Sequence, residues 1–209
     1  MSGNKPDPVA FGRTCLDNGA NGVVAITSLG PCLAVDIRNR RPMIGLGSGF
    51  SWASGPAIKP LALSTVFTLK QALPEISIIG SGGIATAEDV IEFLLAGADA
   101  VEMLSTAMLR GKEVYAKIIQ ELPGKLVENG FKDIDDVKQN RMKAYDPRYT
   151  AEYPVISDAC TGCGICTKNC PYSAMSVTDG KACVDQSKCF GCGLCQSACP
   201  AKAISEVLK

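Results

Sequence analysis

Eight cysteines fall in two runs of one pattern. The first is Cys160-Thr-Gly-Cys163-Gly-Ile-Cys166-Thr-Lys-Asn-Cys170-Pro171, and the second is Cys189-Phe-Gly-Cys192-Gly-Leu-Cys195-Gln-Ser-Ala-Cys199-Pro200. Soft thiolates select iron–sulfur clusters, copper(I) or zinc. Three cysteines at two-residue intervals wrap one corner of a cubane, and glycines between them let backbone N–H groups approach the sulfurs. C-x2-C-x2-C-x3-C-P is the ligand spacing of [4Fe–4S] clusters, so its duplication predicts two of them. The alternative is a pair of structural zinc sites, but zinc ribbons set two CxxC knuckles well apart. Such clusters carry single electrons. The rest of the chain must then account for where those electrons come from or go.

Residues 158–204 as a whole resemble the bacterial-type two-cluster ferredoxins. In proteins of that type the fourth cysteine of each run ligates the other cluster. The resemblance therefore implies one cluster on Cys160, Cys163, Cys166 and Cys199, and one on Cys189, Cys192, Cys195 and Cys170. Each run ends in a similar phrase, Pro-Tyr-Ser-Ala-Met and Pro-Ala-Lys-Ala-Ile, so the module is an internal repeat.

Composition suits an intracellular redox protein. Of eleven cysteines, eight sit in cluster spacing and three are scattered, unlike a disulfide framework. Met1-Ser-Gly-Asn-Lys-Pro opens no apolar signal region, and no run approaches a membrane span. A cytoplasmic protein without membrane contact is expected. The formal charge is zero, which argues against a nucleic-acid surface; the ligand thiolates make the cluster end acidic once loaded. The chain has no histidine. That excludes Rieske ligation, histidine-ligated haem, Ser-His-Asp triads and HExxH zinc sites within it.

Three parts are expected: an α/β portion over 1–130, a linker over 131–157 and a small α+β cluster domain over 158–209. Short apolar runs at Val23–Ile26, Ile76–Gly80 and Ala100–Leu104 alternate with helical patterns at 60–70 and 87–95. Strands separated by helices of that length mean βαβ units and a parallel sheet. A further helix is expected from Glu113 to Leu122, stopped by Pro123-Gly124. Gly80-Ser-Gly82-Gly83-Ile84 follows a strand and precedes a helix starting near Thr86. Leu104-Ser105-Thr106 ends the next strand. Glycines let the backbone approach an anion, and helix N-termini favour negative charge. Two such loops in consecutive units match the phosphate site of a (β/α)8 barrel. The competing explanation is that these glycines only pack helix on strand.

Three phrases carry a family resemblance: Ser54-Gly-Pro-Ala-Ile-Lys-Pro-Leu-Ala-Leu63, Ile78-Ile-Gly-Ser-Gly-Gly-Ile84 and Ala96-Gly-Ala-Asp-Ala-Val-Glu102. In this order and spacing they resemble the dihydroorotate dehydrogenases, including the pyrimidine-reducing domain of dihydropyrimidine dehydrogenase. The match runs from about Asp7 to Asp136. That family is an FMN-binding (β/α)8 barrel, and dihydropyrimidine dehydrogenases also carry a two-cluster ferredoxin module after it. The resemblance implies that Gly55, Gly82, Gly83, Leu104 and Ser105 hold the FMN phosphate, with Lys59 a structural contact. It places 23–27, 76–80 and 100–104 as barrel strands 6, 7 and 8. Strands 1–5 lie outside this alignment, together with the family's catalytic loop cysteine or serine, so the catalytic residue stays unassigned. Three strands cannot close a barrel. Either a second polypeptide supplies the rest, or copies associate, or the product is truncated. The family's Ile-Asn-Thr phrase is Ala25-Ile-Thr27-Ser28 here. Thr27, at the substrate-contacting position, lacks the paired donor and acceptor of an amide.

The activity implied is oxidoreduction at a CH–CH bond of a small, pyrimidine-like substrate. FMN would exchange electrons with the two clusters, and these with a soluble redox carrier. A non-enzymatic electron-transfer unit without flavin is the alternative. Cys15 reads as a small core residue on a helix, Cys32 as a loop residue after a strand, and Cys183 as a non-ligand. Trp52 either stacks on a flavin or fills space. Asp133, Asp135 and Asp136 read as a solvated helix start.

Overall fold

The computed structural model describes residues 1, 3–4, 7–44, 48–143 and 153–207. The chain divides into two compact units, Met1–Ala144 and Tyr145–Lys209. The first is mixed α/β around a three-stranded parallel sheet. Its central strand, Ser77–Ser81, lies between Gly22–Ala25 and Ala100–Glu102. Val24 lies opposite Ile79 and Ile79 opposite Ala100; one position on, Gly80 faces both Ala25 and Val101.

Alternation along the strands decides the two faces. Ile78 is fully buried, while Ile79 is exposed. The buried face packs on helices Lys59–Ala72 and Ala87–Ala96. Phe93 of the second helix lies directly on Gly80, where an added Cβ would sit 2.5 Å from the ring. Helix Ala87–Ala96 buries seven of its ten residues because it is covered on several sides, by Lys59–Ala72, Val114–Glu128 and Ile134–Gln139. At the sheet's first edge Met1 donates from its N-terminus to the Val24 carbonyl at 2.7 Å. The Thr27 N–H donates to Met1 and the Gly3 N–H to Ser28. The outer edge of Ala100–Glu102 pairs with no strand among the described residues.

Three features differ from the expectations. Helix Val114–Glu128 runs through Pro123 and does not stop there. A proline removes one helical hydrogen bond, here to the Ile119 carbonyl. Ile119 and Pro123 are exposed, so the freed carbonyl is open to solvent, while Val114, Ile118 and Leu126 stay buried one turn and then two turns apart. The expected linker begins later than residue 131. Helix Ile134–Gln139, capped by Asp133 Oδ1 accepting from the Asp136 N–H, buries Val137 completely. Arg141 then donates to the Ala98 carbonyl and to Asp99. The Tyr-Asp-Pro-Arg-Tyr part of the linker lies outside the described residues. Finally, Leu29–Cys32 and Ser51–Ala53 form an antiparallel pair, so Cys32 stands in a strand and not in a loop.

The second unit displays the repeat. Strand Val155–Ile156 pairs antiparallel with Ile204–Ser205, and Met175–Thr178 with Lys181–Val184. Each cysteine run enters a short helix, Ile165–Asn169 or Leu194–Ser197, through a left-handed glycine, Gly164 or Gly193. Cys166, Met175, Ala182 and Ile204 form the small core. Among the described residues of the chain, no helix is long and apolar enough to cross a membrane.

Candidate cofactor sites

The three parallel strands deliver their C-terminal loops to one cleft, of about 520 Å³ and open to solvent. Thr27 follows the first strand, Gly82 and Gly83 the second, and Leu104 and Ser105 the third, and all five line it. Gly55 and Trp52 complete the wall. The structure thus brings together every residue that the sequence singles out for phosphate or substrate contact. Gly82 and Gly83 have φ of +110° and +93°. An added Cβ would sit 2.7 Å from the Ile26 carbonyl at Gly82, and 2.8 Å from Lys59 Cβ at Gly83. Backbone therefore borders the cleft there, which suits an anion held by N–H groups. Ser105 Oγ donates to Ser54 Oγ at 2.8 Å, and the buried Thr106 hydroxyl donates to the Ile84 carbonyl, fastening one loop to the next. Glu102 and Met108 also line the cleft. Glu102, the polar end of an alternating strand, carried a signal in the sequence; Met108 carried none.

Lys59 does not reach for the anion. Its ammonium pairs with Asp89 at 2.5 Å and Glu92 at 2.7 Å. Asp89 also accepts from the Ala85 and Thr86 N–H groups at 2.7 and 2.9 Å, and Thr86 Oγ1 accepts from the Asp89 N–H, closing a capping box. Burial alone would raise the Asp89 carboxyl. The Lys59 hydrogen bond and those N–H groups outweigh it and hold the carboxyl below its ordinary value. Burial lowers Lys59, but Asp89 and Glu92 leave it raised. Asp99, bonded to Arg141, the Ile78 N–H and Lys70 against its own burial, is likewise held low.

A carboxyl depressed on folding stabilises above its unfolded value, 3.8, and that contribution is lost as pH falls through the lower folded value. A raised lysine stabilises fully below 10.5 and loses this as pH rises through its folded value. The first unit is therefore expected to weaken in acid below about pH 4. Trp52 is the single tryptophan, so its fluorescence in urea reports this unit. Asp89→Asn should lower the midpoint at pH 7 and flatten the acid limb. An unchanged limb would remove Asp89 from the account.

Each cysteine run lines a small cavity that opens to solvent. One is lined by Cys160, Cys163, Cys166 and Cys199, and the other by Cys170, Cys189, Cys192 and Cys195. Each cavity therefore draws three cysteines from one run and the last from the opposite run. Among the described residues no three Cys, Asp or Glu side chains converge closely enough to hold a single metal ion. Sulfurs set round a cavity fit a bulky group. Backbone N–H groups point at the sulfurs: Ala182 to Cys160 at 3.4 Å, Ala174 to Cys170 and Ala203 to Cys199 at 3.3 Å. The Ala182 and Gly162 N–H groups hold the Cys160 thiol below its ordinary value. Burial pushes Cys195 up, a direction that coordination reverses, because a ligating thiol is deprotonated. Donor type, enclosure and N–H bonding all fit a thiolate-held iron–sulfur cluster in each cavity.

None of the scattered cysteines lines either cavity. Cys15 is half-buried on helix Pro8–Asp17, Cys32 donates weakly to the Leu29 carbonyl, and Cys183 is exposed on the hairpin.

The comparisons with known proteins follow this division. Residues 11–126 match the family model described as dihydroorotate dehydrogenase, and residues 159–203 match a 4Fe-4S dicluster domain. Three relatives carry the name "Dihydroorotate dehydrogenase B (NAD(+)), catalytic subunit". The one from Methanothermobacter thermautotrophicus is 35% identical over 66% of this chain and 44% of its own length. That from Oceanobacillus iheyensis is 39% identical over 68% and 45%, and that from Pyrococcus furiosus 39% over 66% and 44%. The chain thus spans less than half the length of these curated relatives. With parallel strands, glycine loops and the family match in register over the same residues, the chain belongs to the dihydroorotate dehydrogenase family and carries a 4Fe-4S dicluster domain behind the family region.

Proposed function

We propose that this chain forms strands 6–8 of an FMN-binding (β/α)8 barrel and serves an iron–sulfur flavoprotein oxidoreductase acting on a CH–CH bond. The observation that carries this reading is the cleft. Loops from three consecutive parallel strands converge there, and Gly55, Gly82, Gly83, Leu104 and Ser105 border it together. Their backbone N–H groups would hold the FMN phosphate. Bound FMN supplies the conversion between hydride and single-electron chemistry. Thr27, exposed beside the cleft, meets a small unsaturated ring through one hydroxyl, where an amide would offer a paired donor and acceptor. Cys160, Cys163, Cys166 and Cys199 hold one cluster, and Cys170, Cys189, Cys192 and Cys195 the other. A soluble carrier exchanges electrons with them.

The open sheet edge at Ala100–Glu102 and the exposed Ile79 on the uncovered face suit a second polypeptide that supplies the remaining strands, since an unpaired edge is a template for pairing. The test is cofactor content after anaerobic purification. About eight iron per chain are expected, as two cubanes require. Stoichiometric flavin should appear once a polypeptide carrying strands 1–5 is supplied. Iron without flavin in that complex would leave only an electron-transfer unit and would end the enzyme reading.

A further inference from the structure

The two cysteine cavities arise from one repeated run, yet their linings differ at two equivalent positions. The residue after the first cysteine is Thr161 in one run and Phe190 in the other. The residue after the C-P is Tyr172 in one and Ala201 in the other. Each cavity takes its fourth cysteine from the opposite run, so both small residues meet at one cavity and both large ones at the other. Thr161 and Ala201 line the cavity of Cys160, Cys163, Cys166 and Cys199. Phe190 and Tyr172 line that of Cys170, Cys189, Cys192 and Cys195. The two rings stack there with centroids 5.2 Å apart and planes inclined by 25°, a favourable aromatic geometry. They stand at the surface, Phe190 73% and Tyr172 44% exposed. The core does not need them; they border the cavity.

We propose that the stacked Tyr172–Phe190 pair makes the two clusters unequal, screening the one held by Cys170, Cys189, Cys192 and Cys195 from water that reaches the other. This rests on the two-cluster reading above. Reduction adds negative charge to an already anionic group, and water stabilises that charge. The shell around a metal site sets both solvent access and potential. The screened cluster is therefore the harder to reduce and the slower to lose iron. An electron entering the module comes to rest on the cluster of Cys160, Cys163, Cys166 and Cys199.

The whole chain, purified anaerobically, is first assayed for iron. It is then titrated redox-potentiometrically with electron paramagnetic resonance, and exposed to the ferrous chelator bipyridyl. Two potentials at least about 59 mV apart are expected, a tenfold difference in electron occupancy for one electron. Iron should leave in two equal phases differing in rate by about tenfold, the lower end for outer-shell groups. Phe190→Thr with Tyr172→Ala copies the other cavity's lining and should merge both the phases and the potentials. Phe190→Tyr keeps a ring and should change neither. Thr161→Phe with Ala201→Tyr should slow the fast phase, and it decides the matter if the ring-deleting variant loads poorly. A single phase at full iron content, or two phases indifferent to all these changes, overturns the screening role while leaving the clusters in place. A chain that binds no iron overturns the two-cluster reading itself, and the screening role with it.

Discussion

Cys199→Ser is expected to cost the chain the cluster of Cys160, Cys163 and Cys166, not that of its own run. Iron should fall from about eight to about four per chain, one cubane's worth. Cys170→Ser should do the converse. Double variants expose the crossing. Cys199→Ser with Cys163→Ser removes two ligands of one cluster and should retain the same four iron. Cys199→Ser with Cys192→Ser strikes both clusters and should retain none. Four iron surviving in the second pair would refute the crossed assignment. Cys199 shares its cavity with the first run and not with Cys189, Cys192 and Cys195.

The loss should extend beyond iron. Among the described residues of the second unit the buried ones are Pro154, Cys166, Ala174, Met175, Ala182, Gly193, Ala203 and Ile204, mostly small and including a ligand. A unit this short seldom stands on its core alone, and bound metal commonly supplies its folding free energy. Chain stripped of iron is expected to be cut by trypsin within residues 153–207, while the first unit survives. Resistance of the stripped second unit would show that its side-chain core suffices.

The second large effect lies in the cleft. Gly83→Ala places a Cβ at φ +93°, 2.8 Å from Lys59 Cβ and 2.9 Å from the Gly55 carbonyl. A left-handed alanine costs roughly 1–2 kcal/mol and overpacking roughly 1–3, so about 2–5 kcal/mol of stability should go. Flavin binding should go with it, because Lys59 is fixed by Asp89 and Glu92 and only the loop can give way. Gly130→Ala separates the two terms. Its φ is +81° with nothing within 4 Å, so it should cost only the conformational part, about 1–2 kcal/mol. Gly124→Ala, inside a helix with open space around it, should stabilise by up to about 1 kcal/mol. Urea midpoints followed by Trp52 fluorescence measure all three. Gly83→Ala no worse than Gly130→Ala would mean that the loop tolerates the contact.

Legibility in the sequence followed the range of the interactions. The central strand and helices Lys59–Ala72 and Ala87–Ala96 were readable, because apolar spacing and the Thr86 cap are local signals. The continuation of a helix through Pro123 was not. It depends on Leu126 finding a buried place and on Ile119 facing water, both set by distant chain. Val137 and Arg141 read as linker for the same reason. Their partners, helix Ala87–Ala96 and Asp99, lie some forty residues away.

The sequence by itself determined the ligand chemistry. Eight thiols at fixed intervals admit few metals, and glycines after strands admit close approach of an anion. Only the tertiary structure decided that Thr27, Gly55, Gly83 and Ser105 border one cleft, that Lys59 is spent on Asp89 and Glu92, and that both aromatic rings fall beside a single cysteine cavity. The physical reason is distance along the chain. Spacing within one turn or loop is set by covalent geometry, whereas which loops meet is set by how strands pair and helices bury.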